Sequence, residues 1–157
     1  MGAVLVTGMS GAGKSTALAA LADRGHRTVD TDEGDWIEVR DGERLWRADR
    51  VTALLDRHRD GPLFVSGTVA NQGEWYPRFD AVVLLTAPLE VLLARVATRT
   101  TNGFGRAPGE RRRIVEDTTV VEPLLRRRAT AVIDTRAPLE EVVDALLRAA
   151  GVTPGGR

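Results

Sequence analysis

An α/β fold, with a five-stranded parallel sheet between layers of helix, is the architecture this sequence predicts. Three observations lead to it. Short apolar runs alternate with helically spaced ones along the chain, the mark of β-α-β units and a parallel sheet. The run Ala81–Leu85 is apolar at every position, as a strand covered on both faces requires. A glycine-rich loop, Gly8–Gly13, joins the first apolar run to the first helical one, the place where such folds bind phosphate.

In chain order, Ala3–Val6 reads as the first strand, and a helix opens near Lys14 with Ala17, Leu18 and Leu21 as its apolar stripe. Arg27–Asp30 reads as the second strand. Glu43–Arg59 has helical spacing through Leu45, Val51, Leu54 and Leu55, and Asp60-Gly61-Pro62 ends it. Leu63–Ser66 and Ala81–Leu85 are the third and fourth strands. Pro88 opens a helix through Leu89, Leu92, Leu93 and Val96. Thr100–Gly109 has three glycines and no period, so it reads as a mobile loop; Glu110–Arg128 reads as a long helix. Ala131–Ile133 is the last strand and Leu139–Leu147 the last helix. At 157 residues the expectation is one domain over 1–150, with 151–157 a flexible tail.

Composition narrows the function. The apolar share of 43% and charged share of 28% are those of a soluble globular chain, and no run approaches a membrane span. The first residues carry no basic secretory leader. With no cysteine, disulfides and thiolate sites are excluded. Acidic and basic residues balance at 22 each, so no net field draws the chain to nucleic acid or anionic lipid. The arginine triplets 111–113 and 126–128 read as solvated faces, and His26 and His58 belong to no motif. The expectation is a cytoplasmic protein, monomeric or weakly dimeric, acting on a small molecule. Lys14 is the single lysine among those 22 basic residues, the rest being Arg. A compact ammonium does what a broad guanidinium cannot.

Gly8-Met9-Ser10-Gly11-Ala12-Gly13-Lys14-Ser15 matches the phosphate-binding pattern G-x-x-x-x-G-K-[ST] in full. Its glycines let successive N–H groups curl around a phosphate, and the helix N-terminus adds partial positive charge. Lys14 then reaches the β- and γ-phosphates of ATP, the Ser15 hydroxyl takes Mg²⁺, and Thr16 completes the nucleotide contacts. Neither Leu63–Ser66 nor Ala81–Leu85 ends in a carboxylate, so motor and AAA readings lose ground. A guanine-reading N-K-x-D motif needs a second lysine, which rules out a GTPase of that type. The second strand does end in carboxylates, Val29-Asp30-Thr31-Asp32. At i and i+2 on extended chain these share a face, one for the metal and one for an acceptor hydroxyl. The competing reading makes them turn residues, with Asp32 or Asp35 capping a short helix.

These motifs resemble the short P-loop kinases typified by shikimate, gluconate and adenylate kinases, over roughly Gly2–Leu147. The phosphate loop is similar to that of gluconate kinase, and Asp30-Thr31-Asp32 looks like the family's D-x-D. The resemblance implies the sheet order 2-3-1-4-5, a short lid over about 100–109, Asp30 holding Mg²⁺ through water, and Asp32 facing the acceptor. Arg95 and Arg99 resemble the R-x-x-x-R before the lid, which implies Arg95 on adenine and Arg99 on phosphate. Arg106 in the lid is implied to reach the transferring phosphoryl group. The competing reading makes all three solvated arginines. Ile133-Asp134-Thr135-Arg136-Ala137-Pro138 resembles the loop whose backbone cradles adenine.

Trp46-Arg47 stands where shikimate kinase has its Phe-Arg pair, but Ser66-Gly67-Thr68 replaces that family's Gly-Gly-Gly. Val120-Val121 stands where it has a second carboxylate-binding Arg, and the adenylate kinase monophosphate signatures are missing. The resemblance therefore implies the kinase class and not the acceptor. Asp32, Trp36, Trp46, Arg47, Gly67 and Thr68 form the expected acceptor pocket. Trp36, Trp46, Trp75 and Tyr76 favour a flat or partly apolar acceptor if they line it, and are core plugs or a dimer contact if they do not. The function expected is transfer of the γ-phosphoryl of Mg·ATP to a small-molecule hydroxyl. A nucleoside or nucleotide kinase, or a regulatory ATPase with no small acceptor, are the alternatives.

Overall fold

The computed structural model describes residues 2–98 and 108–153. Its main sheet has five parallel strands: β1 (Ala3–Thr7), β2 (Arg27–Asp30), then, after a hairpin β3 (Ile37–Arg40) and β4 (Glu43–Trp46), β5 (Leu63–Ser66), β6 (Ala81–Thr86) and β7 (Ala131–Asp134). They lie in the order β2-β5-β1-β6-β7. Counting only the strands of this sheet, that is the predicted 2-3-1-4-5. Among the described residues five helices flank it: α1 (Lys14–Asp23), α2 (Ala48–Arg57), α3 (Leu89–Thr98), α4 (Pro108–Arg128) and α5 (Leu139–Ala149).

The strands explain the layering. Every residue of β1 is buried, and its side chains alternate between faces. Val4 and Val6 enter a cluster with Leu18 and Leu21 of α1 and Val142 and Leu146 of α5. Ala3 and Leu5 enter another with Val51 and Leu55 of α2, Trp46, Trp75 and Phe79. Since β1 lies at the centre with both neighbours parallel, its C-terminal end opens onto the phosphate loop.

The predicted helix over Glu43–Arg59 is corrected: Glu43–Trp46 is strand, and the helix starts at Ala48. Asp41 and Gly42 both have positive φ, 52° and 79°, the geometry of a two-residue hairpin turn for which Asp-Gly is a preferred sequence. That turn returns the chain antiparallel, pairing Ile37 with Trp46 and Arg40 with Glu43. Trp46 is then pinned from the side. Its N–H donates to Asn71 Oδ1 (2.8 Å) and its carbonyl accepts from Asn71 Nδ2 (3.1 Å). The Ala70 N–H also donates to the Arg44 carbonyl at 3.0 Å. The segment Gln72–Arg78, given no element by periodicity, forms a 3₁₀ turn that buries Gln72 and Trp75. Of the predicted tail, Val152 packs on the core and its N–H donates to the Leu147 carbonyl.

Candidate active site

The phosphate loop runs from the end of β1 into α1, and its glycines are required by close approach. A Cβ at Gly8 would stand 2.5 Å from the Leu85 carbonyl oxygen, and one at Gly11 2.7 Å from that of Leu92. Gly13, at φ 99°, caps α1 in the left-handed region with only Thr135 within 4.0 Å of where its Cβ would be. Met9 and Ala12 turn into the core, and the Ala12 N–H donates to the Met9 carbonyl at 3.0 Å. The loop is thus anchored by two apolar side chains, with Ser10, Gly11 and Gly13 left half-exposed. The Lys14 ammonium folds back to donate to the Gly8 carbonyl and, at 3.4 Å, to that of Met9. Ser15 and Thr16 are exposed at the first turn of α1.

Beside this loop, β2 delivers its carboxylates. The Ser15 hydroxyl donates to Asp30 Oδ2 at 2.7 Å, and Asp30 Oδ1 accepts the Asp32 N–H at 3.0 Å. Asp30 therefore serves the turn and meets Ser15 at once, so its two sequence readings are compatible. Thr31 points the opposite way, buried, its hydroxyl donating to the Ser66 carbonyl and accepting from Trp46 Nε1 at 2.9 Å. Asp32 is exposed and pairs with Arg44 at 3.3 Å. No group of three or more His, Asp or Glu side chains suited to a metal occurs among the described residues. One hydroxyl and one carboxylate beside a phosphate cradle fit Mg²⁺, which keeps its waters and takes few protein oxygens.

The base-side residues also converge. Arg95 donates to the Gly11 carbonyl (3.1 Å), to Thr135 Oγ1 (2.8 Å) and to the Thr135 carbonyl (2.8 Å). It ties the phosphate loop to the loop after β7. Arg136 folds onto Asp134, and its hydrogen bonds, side-chain first and then backbone, hold the Asp134 carboxyl down to about 2. Pro138 opens α5 as its N-cap. Arg99 and Arg106, with most of the predicted lid, lie outside the described residues; Gly109 falls in the first turn of α4.

On the acceptor side the structure departs from the pocket expectation at Trp46, Gly67 and Thr68. Trp46 is fully buried, 0% exposed, packed edge-on to Trp75. Gly67 is also buried, and a Cβ there would overlap Thr31 Oγ1 and come within 3.2 Å of the Trp46 ring. Both sit under the site because the hairpin folds Trp46 onto the sheet. Arg47 turns to Asp35, its Nε 3.2 Å from Oδ1 without hydrogen-bond geometry, and Arg50 takes the other oxygen at 3.0 Å. Trp36 is half-buried beside the second cluster. Thr68 bonds to Gly8 rather than facing outward.

Residues that no motif signalled complete the surroundings: Thr7, Arg44, Asn71 and Gln72. Only Arg44 had a readable cue, the Asp41-Gly42 turn beside it. Of the arginine triplet 126–128, read as solvated, Arg126 pairs with Glu122 at 3.2 Å and Arg128 lies over the Tyr76 ring at 4.5 Å.

A strand–loop–helix phosphate cradle at the centre of a 2-3-1-4-5 sheet defines the P-loop kinase fold. The chain belongs to the family described as AAA domain, whose model matches residues 4–120. Membership corrects the expectation that AAA readings lose ground. The observation behind that expectation stands, since β5 ends in Ser66 and β6 in Thr86. No curated protein matches the chain. Among solved structures, shikimate kinase from Acinetobacter baumannii in complex with shikimate is similar at 21% identity and TM-score 0.66, covering 94% of each chain. Shikimate kinase from Bacteroides thetaiotaomicron matches at 14% identity and TM-score 0.65, over 96% of this chain and 99% of its own. A gluconokinase from Sinorhizobium meliloti matches at 22% and 0.59, over 96% and 91%. At such identities the likeness is one of fold.

Proposed function

We propose that this protein is an ATP-dependent phosphotransferase that moves the γ-phosphoryl of Mg·ATP to a hydroxyl of a small molecule. The observation that carries the reading is the Ser15–Asp30 contact at 2.7 Å beside the Gly8–Gly13 cradle, with Asp32 in the turn that follows, its N–H bonded to Asp30 Oδ1. Loop N–H groups and the α1 N-terminus bind the phosphate chain, and Lys14 compensates the charge on its outer oxygens. Mg²⁺, when bound with the nucleotide, supplies charge neutralisation at the phosphates. Ser15 and Asp30 are the residues that would hold it, Asp30 through water. Asp32 orients the acceptor hydroxyl and takes its proton as the new oxygen–phosphorus bond forms. Arg95 and the 134–138 loop fix the base side, so that most of the acceleration comes from positioning. Arg99 and Arg106 are proposed to meet the transferring phosphoryl group.

The acceptor class follows the same side chains. Asp32 with Arg44, and Asp35 with Arg47 and Arg50, make a charged wall suited to a polyhydroxylated or charged acceptor. Burial of Trp46 removes the strongest argument for a flat aromatic one. A second reading, a regulatory ATPase with no small acceptor, is favoured by the AAA family name. The two separate in one assay. ADP release from Mg·ATP is measured alone and over pools of hydroxy acids, sugars, nucleosides and amino alcohols. The phosphotransferase requires at least one pool to stimulate release. Steady turnover that every pool leaves unchanged selects the ATPase.

A further inference from the structure

The loop after β5 holds a polar network that no motif accounts for, and donor counting gives it a direction. Gln72 is 3% exposed. Its Oε1 accepts the Val69 N–H at 3.0 Å, which fixes the amide orientation and points Nε2 at Thr7 Oγ1 (3.1 Å) and the Tyr76 hydroxyl (2.9 Å). Thr68 uses its one hydroxyl proton on the Gly8 carbonyl at 2.6 Å. In the 3.1 Å contact between Thr7 and Thr68, Thr7 must therefore be the donor. The Gly8 N–H donates back to Thr68 Oγ1 at 3.2 Å. The chain of donors thus runs from buried Gln72 through Thr7 and Thr68 to the carbonyl of Gly8, which is also the acceptor of the Lys14 ammonium.

One hydroxyl brackets both polar backbone groups of the first loop glycine. That glycine sits at φ 155° against the Leu85 carbonyl, with no room for a side chain to hold it. We infer that Thr68 is a positioning residue of the phosphate loop: its hydroxyl holds the Gly8 peptide, and with it Lys14, in the shape that receives the outer phosphates. It does so from the strand end beside the loop, where many P-loop proteins place a metal-directed carboxylate and this chain has Ser66-Gly67-Thr68. Loop preorganisation is worth most in binding a dense anion, because each misaligned N–H loses its charge-assisted bond. Thr68 thus acts on the nucleotide and not, as the sequence suggested, on the acceptor. The inference rests on the proposed Mg·ATP site.

Its test is calorimetric titration of Mg·ATP into the wild type and into Thr68→Val, Thr68→Ser and Thr52→Val. Thr68→Val keeps the shape and removes the hydroxyl. Thr52→Val removes a comparable hydroxyl, the acceptor of Trp75 Nε1 at 3.1 Å, away from the loop. Melting temperatures set the two Val variants on one stability scale. The expected result is Mg·ATP affinity at least tenfold weaker in Thr68→Val and within threefold of wild type in Thr68→Ser and Thr52→Val. Wild-type affinity in Thr68→Val, no rescue by Ser, or equal weakening in Thr52→Val overturns the positioning role. A wild type that takes up no Mg·ATP overturns the proposed nucleotide site itself, a different result from the other three.

Discussion

Lys14 acts from a position that the loop defines, folded back over the carbonyls of Gly8 and Met9. A guanidinium is broader and planar and does not replace that compact point charge. Lys14→Ala is expected to lower turnover by roughly 10²–10³-fold or more, the scale of losing one preorganised charge at a reacting centre. Lys14→Arg should fail similarly, with an unchanged melting temperature in both. Steady-state kinetics beside thermal melts check this, and a near wild-type Lys14→Arg would contradict it. The two carboxylates of β2 should separate in the same assay. Asp32→Asn should lower transfer by roughly 10²–10⁴-fold with ATP still bound. Asp30→Asn should chiefly raise the Mg²⁺ concentration needed for half-maximal rate. Equal, mild effects would make both carboxylates turn residues only.

At the scale of elements, the hairpin β3–β4 decides what the acceptor side looks like. It folds Trp46 under the site, seals Gly67, and presents Arg44 to Asp32. Gly67→Ala must displace the Thr31 hydroxyl or the Trp46 ring, so a destabilisation of about 1–3 kcal/mol is expected from overpacking. Denaturant unfolding measures it, and an unchanged midpoint would mean the hairpin lifts freely. The loop after β7 carries a pH dependence. Asp134 is held at about 2 by Arg136, below its ordinary 3.8, so its contribution is full above about pH 4 and is lost as pH falls towards 2. The stability difference between wild type and Asp134→Asn should therefore shrink over that interval, read by melts at stepped pH. A difference independent of pH would sever the pairing from folding.

For the molecule as a whole, much of the fold was legible because its central strands β1, β5 and β6 are buried on both faces. β5 matches its predicted bounds because a buried apolar run between turn signals admits few other readings; β2 matches too, although its Arg-Thr-Val-Asp is only partly buried. The hairpin was misread because Leu45, Val51, Leu54 and Leu55 satisfy a helical period, and Asp41-Gly42 was passed over as a turn. The phosphate loop was legible from spacing alone. The roles of Thr68, assigned to the acceptor side, and of Gln72 were not, because they come from strand order and a local clamp; Arg44 was readable only through the Asp41-Gly42 turn. Sequence spacing does not encode which loop lands beside which.

The most direct test of the central claim follows the phosphorus. Mg·ATP is incubated with the protein and with the metabolite pool that most stimulates ADP release, and phosphorus NMR follows the γ-phosphoryl group. The account predicts a new phosphate ester resonance growing in step with ADP and missing with Lys14→Ala. Inorganic phosphate as the only product, in every pool, would contradict it.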